Sequence, residues 1–299
     1  CMTSKTISLN EALKRTLIEK HEKPTVSLYE LVLYIYQLYR YKEYDGVSIG
    51  KISLDEPDYR VVNRNIEDLI DSRIISRHLG LPVFFLNSKK KPTAQQYLCS
   101  INPFCYLAYL SAMEWHGITD RIPHNVQAIT CTPPVYRDLV NKQISADLPD
   151  VINKSQLIVP RVTRIPNFDG KTFQLHNTKS YKQPKEIYDS GGIRVSSLGD
   201  TYLDMLKKPN LCGGFDHVID VYQEFAEEHL VLIVKTIDKK GNSMDKARAG
   251  YILEEICGLS HKTIDKWKST VQRGGSRKLV PDNDYKDVYS ETWCISINV

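Results

Sequence analysis

Residues 59–86 contain the sequence pattern that most restricts the fold of this chain. Apolar side chains recur at helical spacing from Val62 to Leu69, and a short β-branched run follows them. A Gly-Leu-Pro break at 80–82 separates this run from a second apolar run at 83–86. A helix, a strand, a tight turn and a second strand in this order are typical of the end of a winged helix-turn-helix. The pattern therefore predicts a sequence-specific DNA-binding module.

The solvent side of the predicted helix carries side chains suited to DNA. Arginine and asparagine read base edges in the major groove through paired hydrogen bonds, whereas lysines near a wing contact phosphate. A solvated linker is an equally good interpretation of the lysine run at 89–91. The predicted base-reading residues are Arg60, Asn63, Arg64 and Asn65, and the predicted phosphate or minor-groove contacts are Arg77, His78, Lys89 and Lys90.

Two helices are predicted before this segment, over 8–22 and 27–40. Each begins with a serine followed three residues later by a glutamate, which is the pattern of a capping box. Residues 47–54 are expected to form a short helix or turn, and Asp58 is expected to cap the helix that follows. These elements complete the predicted N-terminal domain.

The chain is predicted to divide between residues 92 and 97, where a Lys-Lys-Lys-Pro run is followed by polar residues. The expected fold class is α+β, with a winged helix-turn-helix domain over 1–92 and a mixed α/β domain over 97–299. Strands are predicted at 126–132, 156–163, 172–176, 193–196, 278–280 and 292–298, and helices at 103–116, 135–142, 198–207, 215–228, 229–239, 244–257 and 261–272.

Composition narrows the class of protein. The chain has 299 residues, 41% of them hydrophobic, and a formal net charge of +4, which is too small for a protein that coats nucleic acid. Its seven cysteines include no Cys-x-x-Cys pair, so we expect reduced thiols rather than a disulfide framework or a zinc site. No apolar leader or membrane-length apolar stretch is visible. We therefore expect a soluble cytoplasmic protein without a cofactor.

Four stretches of the second segment together resemble the AbiEi family of bacterial antitoxins. They are residues 109–123 (YLSAMEWHGITDRIP), 193–206 (IRVSSLGDTYLDML) with Pro209 and the Cys-Gly-Gly-Phe sequence at 212–215, 247–254 (ARAGYILE) and 293–299 (WCISINV). The similarity covers most of residues 97–299. The chain departs from the family at Gly199-Asp200, where a glutamate-arginine pair is common.

The resemblance implies both a fold and a function. It implies a winged-helix N-terminal domain that binds operator DNA and represses its own operon. It also implies a C-terminal domain that provides antitoxicity in a type IV toxin–antitoxin system, which acts in phage defence by abortive infection. The implied partner is an AbiEii-type nucleotidyltransferase toxin, without a stable complex between the two proteins. Residues 97–299 are then expected to neutralise the toxin without residues 1–92.

Enzyme functions find weaker support in the residues. His116 ends a predicted helix next to Gly117, and this position favours a structural role over catalysis with Asp120. The partial negative charge at the helix C-terminus is expected to favour the imidazolium form of His116. The Pro-Asp pairs ending at Asp150 and Asp282 are each a common turn signal, and neither continues into the acidic-x-lysine pattern of a Mg²⁺-dependent nuclease. We therefore predict no catalytic or metal-binding residues, and a metal-dependent nuclease is the less favoured enzyme alternative.

A second basic segment follows near the C-terminus, with Asp265 as its only acidic residue. It is predicted to contact phosphate or an acidic or RNA-like partner and to serve as the antitoxicity surface, while a solvated helix face is the plainer interpretation. Its members are Lys262, Lys266, Lys268, Arg273, Arg277 and Lys278.

Two further expectations concern association. The sequence contains no heptad seam, so we expect a monomer in solution that loads on paired DNA half-sites. The acidic residues Glu67, Asp68 and Asp71 on the predicted recognition helix leave an alternative open, an interaction protein that uses its winged helix only as a scaffold.

Overall fold

The computed structural model describes residues 6–151, 154–178, 180–187, 189–271 and 277–299. The chain forms two compact units, each built from separate segments. Unit 1 contains the chain up to Cys105, Thr130–Phe173 and Asn177–Arg194, and unit 2 contains Tyr106–Ile129, Gln174–His176 and Val195–Val299. The mixed α+β class is confirmed, but the division differs from the boundary predicted at 92–97 because two later segments pack with the N-terminal residues.

The first part of unit 1 alternates helices with short strands. A π-helical turn, Thr16–Lys20, extends the first helix. The elements are α1 (Leu9–Arg15), β1 (Thr25–Ser27), α2 (Leu28–Tyr41), β2 (Glu43–Tyr44), β3 (Val47–Ser48), α3 (Tyr59–Asp71), β4 (Ile75–Arg77), β5 (Val83–Leu86) and α4 (Ala94–Ile101).

The predicted helix starts in this part are confirmed. The Ser8 hydroxyl accepts the Glu11 N–H at 3.1 Å, and Ser27 and Glu30 form a reciprocal capping box at the start of α2. The helix or turn predicted at 47–54 is wrong at its beginning, because β2 and β3 form a hairpin there. The Asp-Gly pair at 45–46 supplies the two positive φ angles, 50° and 76°, that a tight hairpin turn needs.

The sheet of unit 1 has the order β1-β5-β4, and both pairings are antiparallel. Its hydrophobic core joins the three N-terminal helices, with Leu13, Ile35 and Leu69 fully or almost fully buried. The same core includes Ile144 and Leu157 from later in the chain. Burial of those apolar side chains is the physical reason why residues 130–173 belong to unit 1.

A buried arginine attaches the last segment of unit 1. Arg194 is 4% exposed, and its guanidinium donates to the backbone carbonyls of Cys99 (2.6 Å), Asn102 (3.0 Å) and Cys105 (2.8 Å). These carbonyls lie at and just beyond the end of α4, where a helix leaves its last carbonyls without partners. The side chain therefore caps α4 from a position far along the chain.

The helix predicted over 103–116 is wrong in its first half. Residues 103–108 instead form a turn and a short strand, and helical structure resumes only at Tyr109. A helix that was not predicted, α4, lies earlier and starts with a Thr93–Gln96 capping box in the segment interpreted as a linker. The strand predicted at 156–163 is also wrong, since this stretch has no regular structure. The elements that follow α4 are β6 (Tyr106–Leu107), α5 (Tyr109–Trp115), β7 (Asn125–Cys131), α6 (Pro133–Asp147) and β8 (Thr172–Thr178).

Unit 2 consists mainly of helices. A 3-10 turn, Pro209–Cys212, and a π-helical turn, Tyr251–Ile256, connect some of them. The remaining elements are α7 (Leu198–Lys207), α8 (Phe215–Lys240), α9 (Ser243–Gly250), α10 (Lys262–Lys268), β9 (Tyr289–Ser290) and β10 (Ile295–Ser296). The helix predicted over 198–207 is confirmed, whereas 215–228 and 229–239 belong to one continuous helix.

Two glycines of unit 2 allow close packing. A Cβ atom at Gly199 would lie 2.1 Å from Thr236 Oγ1, so α7 and α8 approach each other at a point that excludes any larger residue. A Cβ atom at Gly250 would lie 2.2 Å from the ring of Trp293, which is fully buried. Gly199 and Gly250 therefore each have a packing role in this chain.

Among the described residues, no helix combines the length and the apolar composition needed to cross a membrane.

Candidate nucleic-acid interface

Helix α3 begins at a capped N-terminus and has two distinct faces. The Asp58 carboxylate accepts the Val61 N–H at 2.8 Å, which confirms the predicted cap. Val62, Ile66 and Leu69 face the core, and their spacing of three to four residues leaves the opposite side in solvent. This geometry gives α3 a continuous exposed face.

The first half of that face is basic. Arg60 and Arg64 are exposed and Asn63 is half-buried. In the part of the chain that the structure describes, neither arginine forms an ion pair. Two guanidinium groups on successive turns are therefore available to a ligand in solvent.

The second half of the face is acidic, but its charge is partly compensated. The Glu67 carboxylate pairs with Arg77 of β4, and Asp68 accepts a long hydrogen bond from Asn10 at 3.4 Å. Arg77 also lies over the ring of Phe84, 5.9 Å from its centroid. Arg77 is thus exposed, as expected of a phosphate contact, but it is held by Glu67 of α3.

Asn65 does not lie on the exposed face. It is 3% exposed, and its side-chain amide donates to the Val61 carbonyl at 2.8 Å. The prediction that Asn65 reads bases is wrong, because its position three residues after Val62 turns it toward the core. The helical spacing of the apolar residues was the signal that could have placed it there.

The hairpin of β4 and β5 ends in a tight turn over residues 78–81. The Leu81 N–H donates to the His78 carbonyl at 3.0 Å, and both central residues, Leu79 and Gly80, have positive φ angles of 50° and 67°. Such a turn matches the twist of a two-stranded ribbon. Leu79 is exposed at its tip.

His78 is half-buried and lies in an aromatic cluster, unlike the exposed phosphate contact that was predicted. Its ring stacks on Phe85 with centroids 4.7 Å apart and meets the edges of Tyr97 and Phe168. Its Nε2 is buried without a hydrogen-bond partner among the described residues, and burial lowers the pKa of the imidazole. The aromatic contacts and the lowered pKa leave a half-buried neutral ring instead of the exposed cation that the predicted role requires.

Lys89 and Lys90 lie away from the turn. Ile75 pairs with Leu86 and Arg77 with Phe84, so the chain after β5 leaves the hairpin at the end opposite residues 78–81. The expected location of these lysines beside the wing is therefore wrong. Lys90 is exposed and Lys89 half-buried.

The second basic segment is smaller than predicted. Lys268 pairs with Glu254 at 2.5 Å and with Asp265 at 3.2 Å, so Asp265 is not the only opposing charge. Arg277 donates to the Ser243 hydroxyl at 2.6 Å, and Lys278 donates to the Asn283 carbonyl at 2.9 Å. Lys262 and Lys266 are exposed on α10 without an ion pair in the described ranges, and Arg273 lies outside those ranges.

The residues considered for enzyme chemistry have structural contacts. His116 Nε2 lies 2.8 Å from the Ser196 carbonyl, and burial lowers the pKa of its imidazole, contrary to the expected preference for imidazolium. Asp150 pairs with Arg40 at 2.5 Å, and Asp282 accepts from Asn210 at 3.1 Å. Over the described ranges, no group of three or more His, Cys, Asp or Glu side chains is arranged to hold a metal ion.

Comparisons with known proteins do not assign the chain to a family. No family model matches the chain, and no curated protein gives a significant match. Among solved structures, the chain is similar to the RV2827C protein from Mycobacterium tuberculosis, with a TM-score of 0.49 and 10% sequence identity over 98% of this chain and 92% of that chain. A likeness of this size supports no functional argument, so the family stays a prediction from the sequence.

Proposed function

We propose that unit 1 binds operator DNA with the first half of α3 in the major groove and represses transcription of its own operon. The observation that carries this proposal is a pair of exposed arginines, Arg60 and Arg64, that form no ion pair among the described residues, with Asn63 between them. The N-terminal turns of a recognition helix are the turns that contact base edges.

The order of elements in unit 1 supports the same proposal. Three helices, α1 to α3, accompany an antiparallel sheet of order β1-β5-β4, which is the arrangement expected of a winged helix-turn-helix. Residues 78–81 would then form the wing.

The acidic half of α3 is compatible with DNA binding. A free carboxylate near a phosphate would repel it, but Glu67 is already paired with Arg77. Asp71 lies at the end of α3, about three turns from Arg60 at 3.6 residues per turn. A helix that inserts its N-terminal end would therefore keep Asp71 far from the DNA.

Removal of the two arginines tests the proposal. The variant Arg60→Ala/Arg64→Ala is compared with a matched control, Arg137→Ala/Arg164→Ala, which removes the same charge from exposed positions elsewhere in unit 1. A base-reading arginine contributes about 1–3 kcal/mol, so we expect binding to the upstream region of the operon to weaken by at least tenfold. The control should change affinity by less than twofold.

Fluorescence anisotropy with labelled upstream DNA measures these affinities. Excess non-specific DNA and a series of salt concentrations separate sequence-specific contacts from phosphate contacts. Equal binding by the variant and the parent protein would show that α3 does not read bases. Absence of any specific binding by the parent would favour the interaction-scaffold alternative, and Mg²⁺-dependent cleavage of the probe would favour a nuclease.

We further propose that the protein is the antitoxin of a type IV pair and counteracts an AbiEii-type nucleotidyltransferase toxin. This part of the proposal rests on the resemblance of residues 109–123, 193–215, 247–254 and 293–299 to the AbiEi family. The exposed lysines Lys262 and Lys266 are the proposed antitoxicity surface, since the toxin's nucleic-acid substrate is negatively charged.

Charge reversal on α10 tests this surface. The variant Lys262→Glu/Lys266→Glu should abolish rescue of toxin-expressing cells, because it replaces the positive charge of the proposed surface with negative charge. The fold should stay intact, because both side chains are exposed. Lys235→Glu/Lys239→Glu on α8 is a matched control with the same spacing, charge change and exposure. Full rescue by the α10 variant at equal protein level would exclude this surface.

A further inference from the structure

Unit 1 contains a cleft of about 600 Å³, a volume typical of small-molecule sites. The start of α2, the end of α4, one face of α6 and residues 183–186 form its walls. We propose that this cleft binds a small organic anion that combines an apolar body with a carboxylate or phosphate group. Binding of this anion does not depend on the DNA-binding proposal.

Apolar side chains form much of the cleft surface. Ile101 and Phe104 contribute from the end of α4 and just beyond it, Leu139 from α6 and Val159 from the irregular segment. Ile101 and Phe104 are almost fully buried and form the packed base of this wall, whereas Leu139 and Val159 are half-buried and leave apolar surface open to the cleft. An apolar ligand body gains free energy by leaving water for such a surface.

Three charged side chains at the cleft, the half-buried Lys23 and Glu30 and the exposed Glu186, already have partners. The ammonium group of Lys23 contacts Glu30 at 3.1 Å and Glu186 at 2.9 Å. Glu186 also accepts from Arg194 at 3.3 Å. Because both glutamates are compensated inside the protein, they do not select a cationic ligand.

Two lysines at the cleft remain uncompensated. Lys142 of α6 and Lys185 both line the cleft, both are exposed, and neither forms an ion pair in the described part of the chain. An anionic group attracts such ammonium groups, and partial removal from water strengthens the attraction. The excess positive charge therefore selects an anion, and the apolar wall selects one with an apolar body.

The dye 8-anilinonaphthalene-1-sulfonate is a suitable probe because it joins an apolar ring system to one anionic group. We expect saturable fluorescence enhancement with the full-length protein. Decanoate or octyl phosphate should displace the dye, and the comparison of these two identifies the preferred anionic group. The neutral analogue decanol should displace it at least tenfold less well.

Charge reversal at the cleft gives the decisive comparison. Lys142→Glu/Lys185→Glu should weaken dye binding at least tenfold, whereas the matched control Lys154→Glu/Lys182→Glu, on exposed lysines outside the cleft, should change it by less than twofold. Circular dichroism checks that both variants are folded. Absence of saturable binding, equal affinities in the two variants, or displacement by decanol as effective as by decanoate would overturn the proposal.

Discussion

Asp204 of α7 is half-buried in unit 2, and this position perturbs its carboxyl group. Burial raises the pKa of Asp204 from 3.8 to about 7, and the nearby charge of Asp200 adds to the increase, while Lys207 and Lys240 oppose it. The folded protein therefore holds this proton more tightly than the unfolded chain does. We expect Asp204→Asn to change how stability depends on pH.

The sign and size of the effect follow from the two pKa values. Between pH 3.8 and about 7 the folded state keeps a proton that the unfolded state has lost, so the Asp204 contribution to the free energy of unfolding falls as pH rises. At about 1.4 kcal/mol per pKa unit, the upper limit of this loss is about 4 kcal/mol. Contact of a half-buried carboxylate with water reduces the expected loss to about 2–3 kcal/mol.

Urea denaturation of the parent and of Asp204→Asn at several pH values from 4 to 8 measures this loss. The variant should match the parent near pH 4 and exceed it by about 2–3 kcal/mol at pH 8. Burial lowers the pKa of His116, His176 and His217, which makes stability rise with pH, but these histidines are present in both proteins and cancel in the difference. A difference between the two proteins that stays constant over this range would refute the reasoning.

Three other predictions concern packing and pairing, and each is measured by urea denaturation. Gly250→Ala should destabilise the protein by about 1–3 kcal/mol, because the new methyl group overlaps the ring of Trp293. A neutral result would exclude that close contact. Tyr97→Phe should be neutral or stabilising by up to about 1 kcal/mol, because it removes a buried hydroxyl without a partner among the described residues. A clear decrease in the free energy of unfolding would indicate a water bound to that hydroxyl. Lys268→Glu should destabilise the protein more than Lys266→Glu, because of these two lysines only Lys268 forms ion pairs with described residues. Equal effects would show that these pairs contribute nothing.

Local sequence signals predict much of unit 1. Ser27 and Glu30 mark the start of α2, and Asp58 marks the start of α3, because capping depends on atoms within one turn. The signals that were missed are equally local: the Asp-Gly turn at 45–46 and the Thr93–Gln96 capping box. The competing interpretations there, a short helix and a linker, rested on polarity rather than on turn chemistry.

The candidate interface is less predictable, because it depends on contacts between elements. Exposure of Arg60 and Arg64 follows from helical spacing alone, and the same spacing turns Asn65 inward. The aromatic enclosure of His78 requires Phe168, which is distant in sequence. Pairing of Lys268 with Glu254 likewise joins two different helical segments, and no pattern in either segment indicates it.

The cap that Arg194 places on α4 has a consequence for biosynthesis. Unit 1 cannot complete its contacts when residue 105 leaves the ribosome, because Thr130–Phe173 and Asn177–Arg194 are still to be made. At about 5–20 residues per second, the roughly 90 residues between Cys105 and Arg194 take about 5–20 s to translate. During that interval the nascent chain carries an incomplete unit 1 with exposed apolar surface, which is a substrate for chaperones. A chain truncated after residue 92 would stay in that incomplete state, because it lacks the later segments of unit 1.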